Sequence, residues 1–383
     1  VVAVDLPGMV LPVLDPFGSA AAHRPLGDPR AELDKMLVAL ADAQGSDLHL
    51  TAGAPPTIRL HGGLRYLNDY PALGGEDTAA LLRSSVDDDQ WATFEREHEL
   101  DFAYSIADVS RFRVNLYVQR GSYGAAFRMI PHTIKPLHEL GVPESVARFA
   151  QLPRGLVLVT GPTGSGKTTT LAALLDLANR TRSAHIVTIE DPIEFLHPHQ
   201  RCLVNQREVG TDTASFATAL KHALRQDPDI ILVGELRDLE TTSTALTAAE
   251  TGHLVLATLH TQSAAQTIDR IIDIFPPHQQ HQIRSQLSTA LQGVVTQALC
   301  ARADGSGRTI ITEIMTATPA IRNLIREGKN HQIPSFMQSG AADGMLAFDQ
   351  HLAERVRQQV ITFEQGLELC HSAEEFQRLS RRG

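Results

Sequence analysis

The stretch Gly161-Pro162-Thr163-Gly164-Ser165-Gly166-Lys167-Thr168 constrains this chain more than any other. It follows the pattern G-x-x-x-x-G-K-[ST]. In that pattern a glycine-rich turn wraps backbone N–H groups around phosphate oxygens, and the helix behind it adds the positive end of its dipole. The flanks fit. Leu156-Val157-Leu158-Val159 is a short apolar run suited to a buried strand, and Leu171, Leu174, Leu175 and Ala178 recur at helical spacing behind the loop. Lys167 is placed to reach the β- and γ-phosphates, and Thr168 to offer its hydroxyl to Mg²⁺. Gly161, Pro162, Thr163, Gly164, Ser165, Gly166, Lys167, Thr168 and Thr169 are therefore the candidate nucleotide-binding residues, with ATP and Mg²⁺ the expected ligands. A glycine-rich turn that merely precedes a helix is the plainer alternative; the matching flanks weigh against it.

The rest of the composition narrows the class. A chain of 383 residues has room for two domains, and 43% apolar with 20% charged residues suits a globular protein. No apolar run approaches the ~20 residues of a membrane helix, so no direct membrane insertion is expected. Residues Val1 to Ala22 are mildly apolar, but they carry Asp5 and Asp15 and no basic start. They read as a loose extension rather than a signal peptide. The net charge of −10 argues against a general grip on nucleic acid. Cys202, Cys300 and Cys370 lie far apart, which fits a reducing compartment and forms neither a disulfide framework nor a zinc ribbon. A cytoplasmic protein is expected.

Along the chain, Leu33, Met36, Leu37 and Leu40 predict an amphipathic helix over 30–45, and Ser46 to Thr51 alternates as a strand does. Gly53 to Leu67 reads as a hairpin region, Glu76 to Glu99 as polar and helix-prone, and 100–105, 111–118 and 123–129 as three further strands. A small α/β domain (30–130) thus precedes a proline-rich linker (131–153) with one short helix. From 154 to 316, apolar strands alternate with helices, which implies a parallel sheet with right-handed crossovers. Gln292–Cys300 and Thr309–Met315 read as a hairpin closing that region, and 317–383 as a helical tail.

Hydrolysis of ATP needs a carboxylate to position water. Ile230-Ile231-Leu232-Val233-Gly234-Glu235 is an apolar strand ending in one, at the strand end where open α/β sheets bind ligands. Gly234 stands where many P-loop enzymes place an aspartate. Glu190-Asp191-Pro192-Ile193-Glu194 follows another strand, and three carboxylates so close repel unless a cation compensates. Glu190 and Thr168 are the candidate metal ligands, and a solvated acidic turn is the alternative. His260 ends the strand Leu254–Thr258 and either senses a γ-phosphate or is structural; His253, at the other end, is expected to pack. Arg111 and Arg113 alternate onto one face of a strand and Arg128 lies on the next. They suit phosphate oxygens, or they pair with local acids such as Asp101 or Asp108.

Together these boxes resemble the secretion ATPase superfamily of type II secretion and type IV pili, and within it the PilT-type pilus retraction ATPases. The likeness runs from about residue 31 to about 365. It covers Gly45-Ser46-Asp47-Leu48-His49-Leu50, the P-loop, the acidic box Glu190 to Glu194, the strand ending Gly234-Glu235 and the histidine box His253 to His260. Most specific is Ala320-Ile321-Arg322-Asn323-Leu324-Ile325-Arg326-Glu327, which matches the AIRNLIRE motif that marks retraction motors. Read from the residues alone, the polar side of that segment is a solvated helix face.

The resemblance implies a PAS-like N-terminal domain and a RecA-like ATPase domain with a helical C-terminal tail. It implies a homohexamer acting on an inner-membrane pilus platform protein, with a paralogous retraction ATPase as a further partner. Glu235 takes the role of catalytic glutamate, Glu194 that of acidic-box carboxylate and His260 that of histidine-box residue. Arg111, Arg113 and Arg128 reach a neighbouring subunit's nucleotide. Assembly motors of the superfamily often carry a tetracysteine zinc motif, which three cysteines cannot supply. An assembly ATPase and a RecA-like nucleic-acid motor are the alternatives, as is a non-hydrolysing accessory ring subunit. Residues 1–29 extend beyond the family's usual short N-terminus.

Overall fold

A computed structural model describes residues 27–60, 63–107, 109–131 and 133–381. Most of the N-terminal extension and Asp108, one of the acids named as an arginine partner, lie outside these residues. The chain divides between Ile130 and Pro131 into two compact units.

The first unit opens with α1 (Pro29–Asp42), where Asp28 accepts from the Arg30 N–H and proline occupies the first turn. Leu33, Met36, Leu37 and Leu40 are fully buried at helical spacing. β1 (Asp47–Thr51), β2 (Thr57–Leu60) and β3 (Gly63–Tyr66) follow, the last two pairing as the expected hairpin. The polar stretch forms two helices, α2 (Gly75–Arg83) and α3 (Asp88–Glu97), the second opened by a capping box of Asp87 and Gln90. β4 (Glu99–Ile106), β5 (Ser110–Gln119) and β6 (Ser122–Ile130) complete an antiparallel sheet of order β3-β2-β1-β6-β5-β4. Alternate residues, such as Leu48 and Leu50 or Phe112, Val114 and Leu116, pack in one core with the helices. The intervening residues form the opposite face.

The second unit begins with the proline-rich segment. There a 3-10 helix (Glu144–Gln151) and its lead-in add Leu137, Val142, Val146 and Phe149 to the core. The elements then run β7 (Gly155–Thr160), α4 (Lys167–Thr181), β8 (His185–Glu190), β9 (Leu203–Glu208), α5 (Phe216–Ala223), β10 (Ile230–Val233), α6 (Leu239–Glu250), β11 (Leu254–Leu259), α7 (Ala264–Asp273), α8 (Pro277–Ala290), β12 (Leu291–Ala301) and β13 (Arg308–Thr316). The sheet order is β13-β12-β7-β11-β10-β8-β9, with all neighbours parallel except the β12–β13 hairpin. Every residue of β7, β10 and β11 is buried, as strands covered on both faces require. The edge strand β9 has no sequence signal, because its Leu-Val-Asn-Gln-Arg-Glu run neither alternates nor stays apolar.

The tail is helical: α9 (Pro319–Glu327), α10 (Ile333–Ser339), α11 (Phe348–Arg357), α12 (Phe363–Leu369) and α13 (Ala373–Ser380). Thr318 caps α9, proline starts it, and Ile321, Leu324 and Ile325 are its buried stripe. No helix among the described residues is long and apolar enough to cross a membrane.

Candidate functional site

The parallel register brings four loops to one edge. Thr160 at the end of β7 is level with Leu259 of β11 and Thr296 of β12, and Val233 of β10 is level with Ile189 of β8. The chain leaves these ends as the P-loop, the acidic box, Gly234-Glu235 and His260. They enclose a cavity of about 450 Å³. Thr163, Gly164, Gly166, Lys167, Thr168 and Thr169 line it from the loop side; Glu190, Glu194, Glu235 and His260 line it from the other strand ends. Gly161 and Ser165 are buried behind the loop, and Pro162 is exposed. At Gly161 the need for glycine is steric: φ is +141°, and an added Cβ would lie 2.2 Å from the Gln297 carbonyl oxygen on β12.

A continuous polar chain crosses the cavity. Lys167 Nζ donates to the carbonyls of Gly161 (2.9 Å) and Pro162 (3.1 Å), and lies 3.3 Å from His260 Nδ1. His260 Nε2 is 3.1 Å from Glu235 Oε1, while Glu235 Oε2 accepts from Arg237 Nε at 2.7 Å. An ammonium only donates, so Nδ1 is the acceptor and Nε2 carries the proton that faces Glu235. Burial lowers the Lys167 pKa, and the negative charges of Glu235 and Glu194 oppose that shift. Sequence reading placed Glu235 and His260 at the site but had no signal for their direct pairing, nor for Arg237.

Gly234 sits close to the end of β8. Its N–H donates to Ile189 O (2.8 Å), and an added Cβ would sit 3.3 Å from that oxygen and 3.5 Å from the Glu190 Cα. A side chain there would be tight against the end of β8 and would need a shift of a few tenths of an ångström. The Glu190 carboxylate is buried and accepts from Thr188 Oγ1 (2.6 Å) and Gln206 Nε2 (3.1 Å). Burial pushes its pKa up, against those bonds and one from the Glu194 backbone. Glu194 is exposed at the cavity edge. The available donors for a cation are thus oxygens, the Thr168 hydroxyl with the Glu190 and Glu194 carboxylates, which suits a hard divalent ion such as Mg²⁺. His197, in the cavity wall, is held by burial down to about 4, so its ring is neutral at physiological pH. His253 packs with Nδ1 3.0 Å from Ala248 O.

Arg111, Arg113 and Arg128 belong to the first unit, on the sheet face opposite its core. Strand register sets one row across four strands: Arg59 on β2, Asp47 on β1, Arg128 on β6 and Arg113 on β5. Arg111 lies two residues along β5, and Arg59 was not legible as part of the set. Arg128 Nε donates to Asp47 Oδ1 at 2.8 Å, and Arg59 Nε lies 3.8 Å from Oδ2. The local acid is therefore Asp47, while Asp101 accepts from Asn115. Burial would raise the Asp47 carboxyl, but hydrogen bonds from Ser46 and Arg128 hold it below the usual range.

The Ala320–Glu327 segment corrects one expectation. Arg322 is not a solvated charge: its Nη1 donates to the carbonyls of Ser288 and Thr289 (2.7 Å each) and its Nη2 to Gln292 Oε1 (3.1 Å). It caps the C-terminus of α8. Asn323, Arg326 and Glu327 are its exposed polar residues.

A glycine-rich loop with its lysine, facing carboxylates across a cavity at the carboxyl edge of a parallel sheet, defines a P-loop nucleotide-binding protein. Residues 136–367, more than half of the chain, match the model of the type II/IV secretion system protein family. The chain belongs to that family. The "Type IV pilus retractation ATPase PilT" of Pseudomonas aeruginosa is 52% identical over 341 residues, which span 89% of this chain and 98% of that protein. A "Twitching motility protein" of Neisseria gonorrhoeae is 50% identical over 309 residues, 81% of this chain and 82% of that one. A crystal structure of the pilus retraction motor PilT with bound ADP superposes with a TM-score of 0.82 at 47% identity, covering 89% of this chain and 98% of that chain.

Proposed function

We propose that this chain is a Mg²⁺-dependent ATPase that works as a homohexameric motor of type IV pilus retraction and so of twitching motility. The observation that carries this reading is the Lys167–His260–Glu235 chain across a cavity walled by phosphate-binding amides. The likeness over nearly the whole of the P. aeruginosa retraction ATPase supports the motor assignment. The loop amides and Lys167 hold the β- and γ-phosphates. Glu235 orients and deprotonates the attacking water, with Glu194 beside it. His260 reads the γ-phosphate because its Nδ1 faces the lysine that a phosphate would engage. Mg²⁺ bound at Thr168 and the acidic box would neutralise phosphate charge. Arg111, Arg113 and Arg128 serve the neighbouring subunit's nucleotide, where guanidinium groups stabilise charge developing on the phosphoryl oxygens. Cycles of binding and release then move an inner-membrane platform protein from the cytoplasmic side, with a paralogous ATPase as a further partner.

A chromosomal Glu235→Gln substitution in the source organism tests this. The variant protein is expected to bind ATP but turn it over about a hundredfold or more slowly, and cells are expected to be heavily piliated without twitching. Bald cells by electron microscopy would instead make the chain an assembly motor.

A further inference from the structure

We propose that Gln297 is a positioning residue for the nucleotide's phosphates: it sets the direction of a P-loop amide without touching the nucleotide. This rests on the nucleotide-site reading above. Gln297 lies on β12, one residue past the point where β12 and β7 end their pairing at Thr296 and Thr160. It is 1% exposed, and its Nε2 donates to the Ser165 carbonyl at 2.7 Å. Ser165 C=O and Gly166 N–H share one trans peptide plane and point to opposite sides of it. Anchoring the oxygen on β12 therefore turns the Gly166 N–H away from β12, and Gly166 lines the cavity. The peptide lies between Gly164 and Gly166, both at positive φ, so no neighbouring side chain fixes its orientation.

Two leftover atoms support the reading. Gln297 Oε1 and Ser165 Oγ are both buried with no hydrogen-bond partner among the described residues. A leucine or methionine would fill the same space with no unsatisfied oxygen, so what the amide adds here is its one bond to the loop. Gln297 also meets the loop through its backbone: its carbonyl packs against Gly161. The strands are joined separately, by their backbone pairing and by the Thr160–Thr296 hydroxyl pair at 2.9 Å.

That separation gives the test. ADP affinity, by calorimetry, and melting temperature are measured for Gln297→Met, Gln297→Glu and Thr296→Val in the full chain. Gln297→Met should weaken ADP about tenfold or more, with little change in melting temperature. Thr296→Val should lower the melting temperature and leave ADP affinity within about twofold. Gln297→Glu keeps the volume and is read against pH. A protonated glutamic acid can donate to Ser165 O and a carboxylate cannot, so its affinity relative to the parent chain should recover as pH falls from 8 to 5. Parent-like ADP affinity in Gln297→Met overturns the proposal. So does a flat pH ratio for Gln297→Glu, which also decides the matter if the methionine variant does not fold. Failure of the parent chain to bind ADP would sink the nucleotide-site reading itself, a separate outcome.

Discussion

In the cavity at the strand ends, the charged groups are matched within one chain: Lys167 to two carbonyls and His260, and Glu235 to His260 and Arg237. On the outer face of the N-terminal sheet, Arg59, Arg128 and Arg113 stand in a row with one carboxylate, Asp47. That row has a surplus of positive charge, and the Arg128 side chain is 72% exposed even while bonded to Asp47. The cavity pairs its lysine and Glu235 with groups of its own chain. In the row the buried Asp47 carboxylate holds Arg128 and lies 3.8 Å from Arg59 Nε, and the function proposed above makes the row half of a site whose anion comes from a neighbour.

The comparison breaks or sharpens under substitution. Lys167→Ala should have the largest effect, removing ADP binding by about a hundredfold or more in calorimetry, because the loop loses its only ammonium. Arg128→Ala should leave ADP affinity of the dilute chain unchanged and lower kcat of the assembled protein about a hundredfold. If it weakens ADP binding in the dilute chain, the row is not half of a site completed by a neighbour. Asp47→Asn, which keeps the shape and drops the charge, should lower kcat roughly tenfold by loosening Arg128. The smallest effect is structural. Arg322→Ala should cost about 1–3 kcal/mol of stability by uncapping α8, measured by denaturation, while Arg326→Ala should cost none.

Much of this was legible before any coordinates, and what was not has a common cause. The P-loop, the strand ending in Glu235 and the stripe of α9 are local patterns, each written within a dozen residues. Gln297, Asp47 with Arg59, and the capping role of Arg322 depend on which strand or helix lies alongside, and nothing within a local window encodes that. Thus Arg322 looks the same in sequence as the exposed Arg326 four residues on, yet only the first lies against the end of α8. The acid that pairs with Arg128 lies 81 residues away, beyond the reach of spacing rules.

The Lys167 bonds to Gly161 O and Pro162 O bear on how fast a spent nucleotide can leave. A buried ammonium stripped of its anion is costly, and that cost would normally slow product departure. Here two carbonyls and an imidazole stand ready to receive the proton donors as the phosphate withdraws. With a nucleotide held as proposed above, the exchange would be a handover between acceptors, and a stroke cycle that discharges ADP at each turn would meet a lower exit barrier.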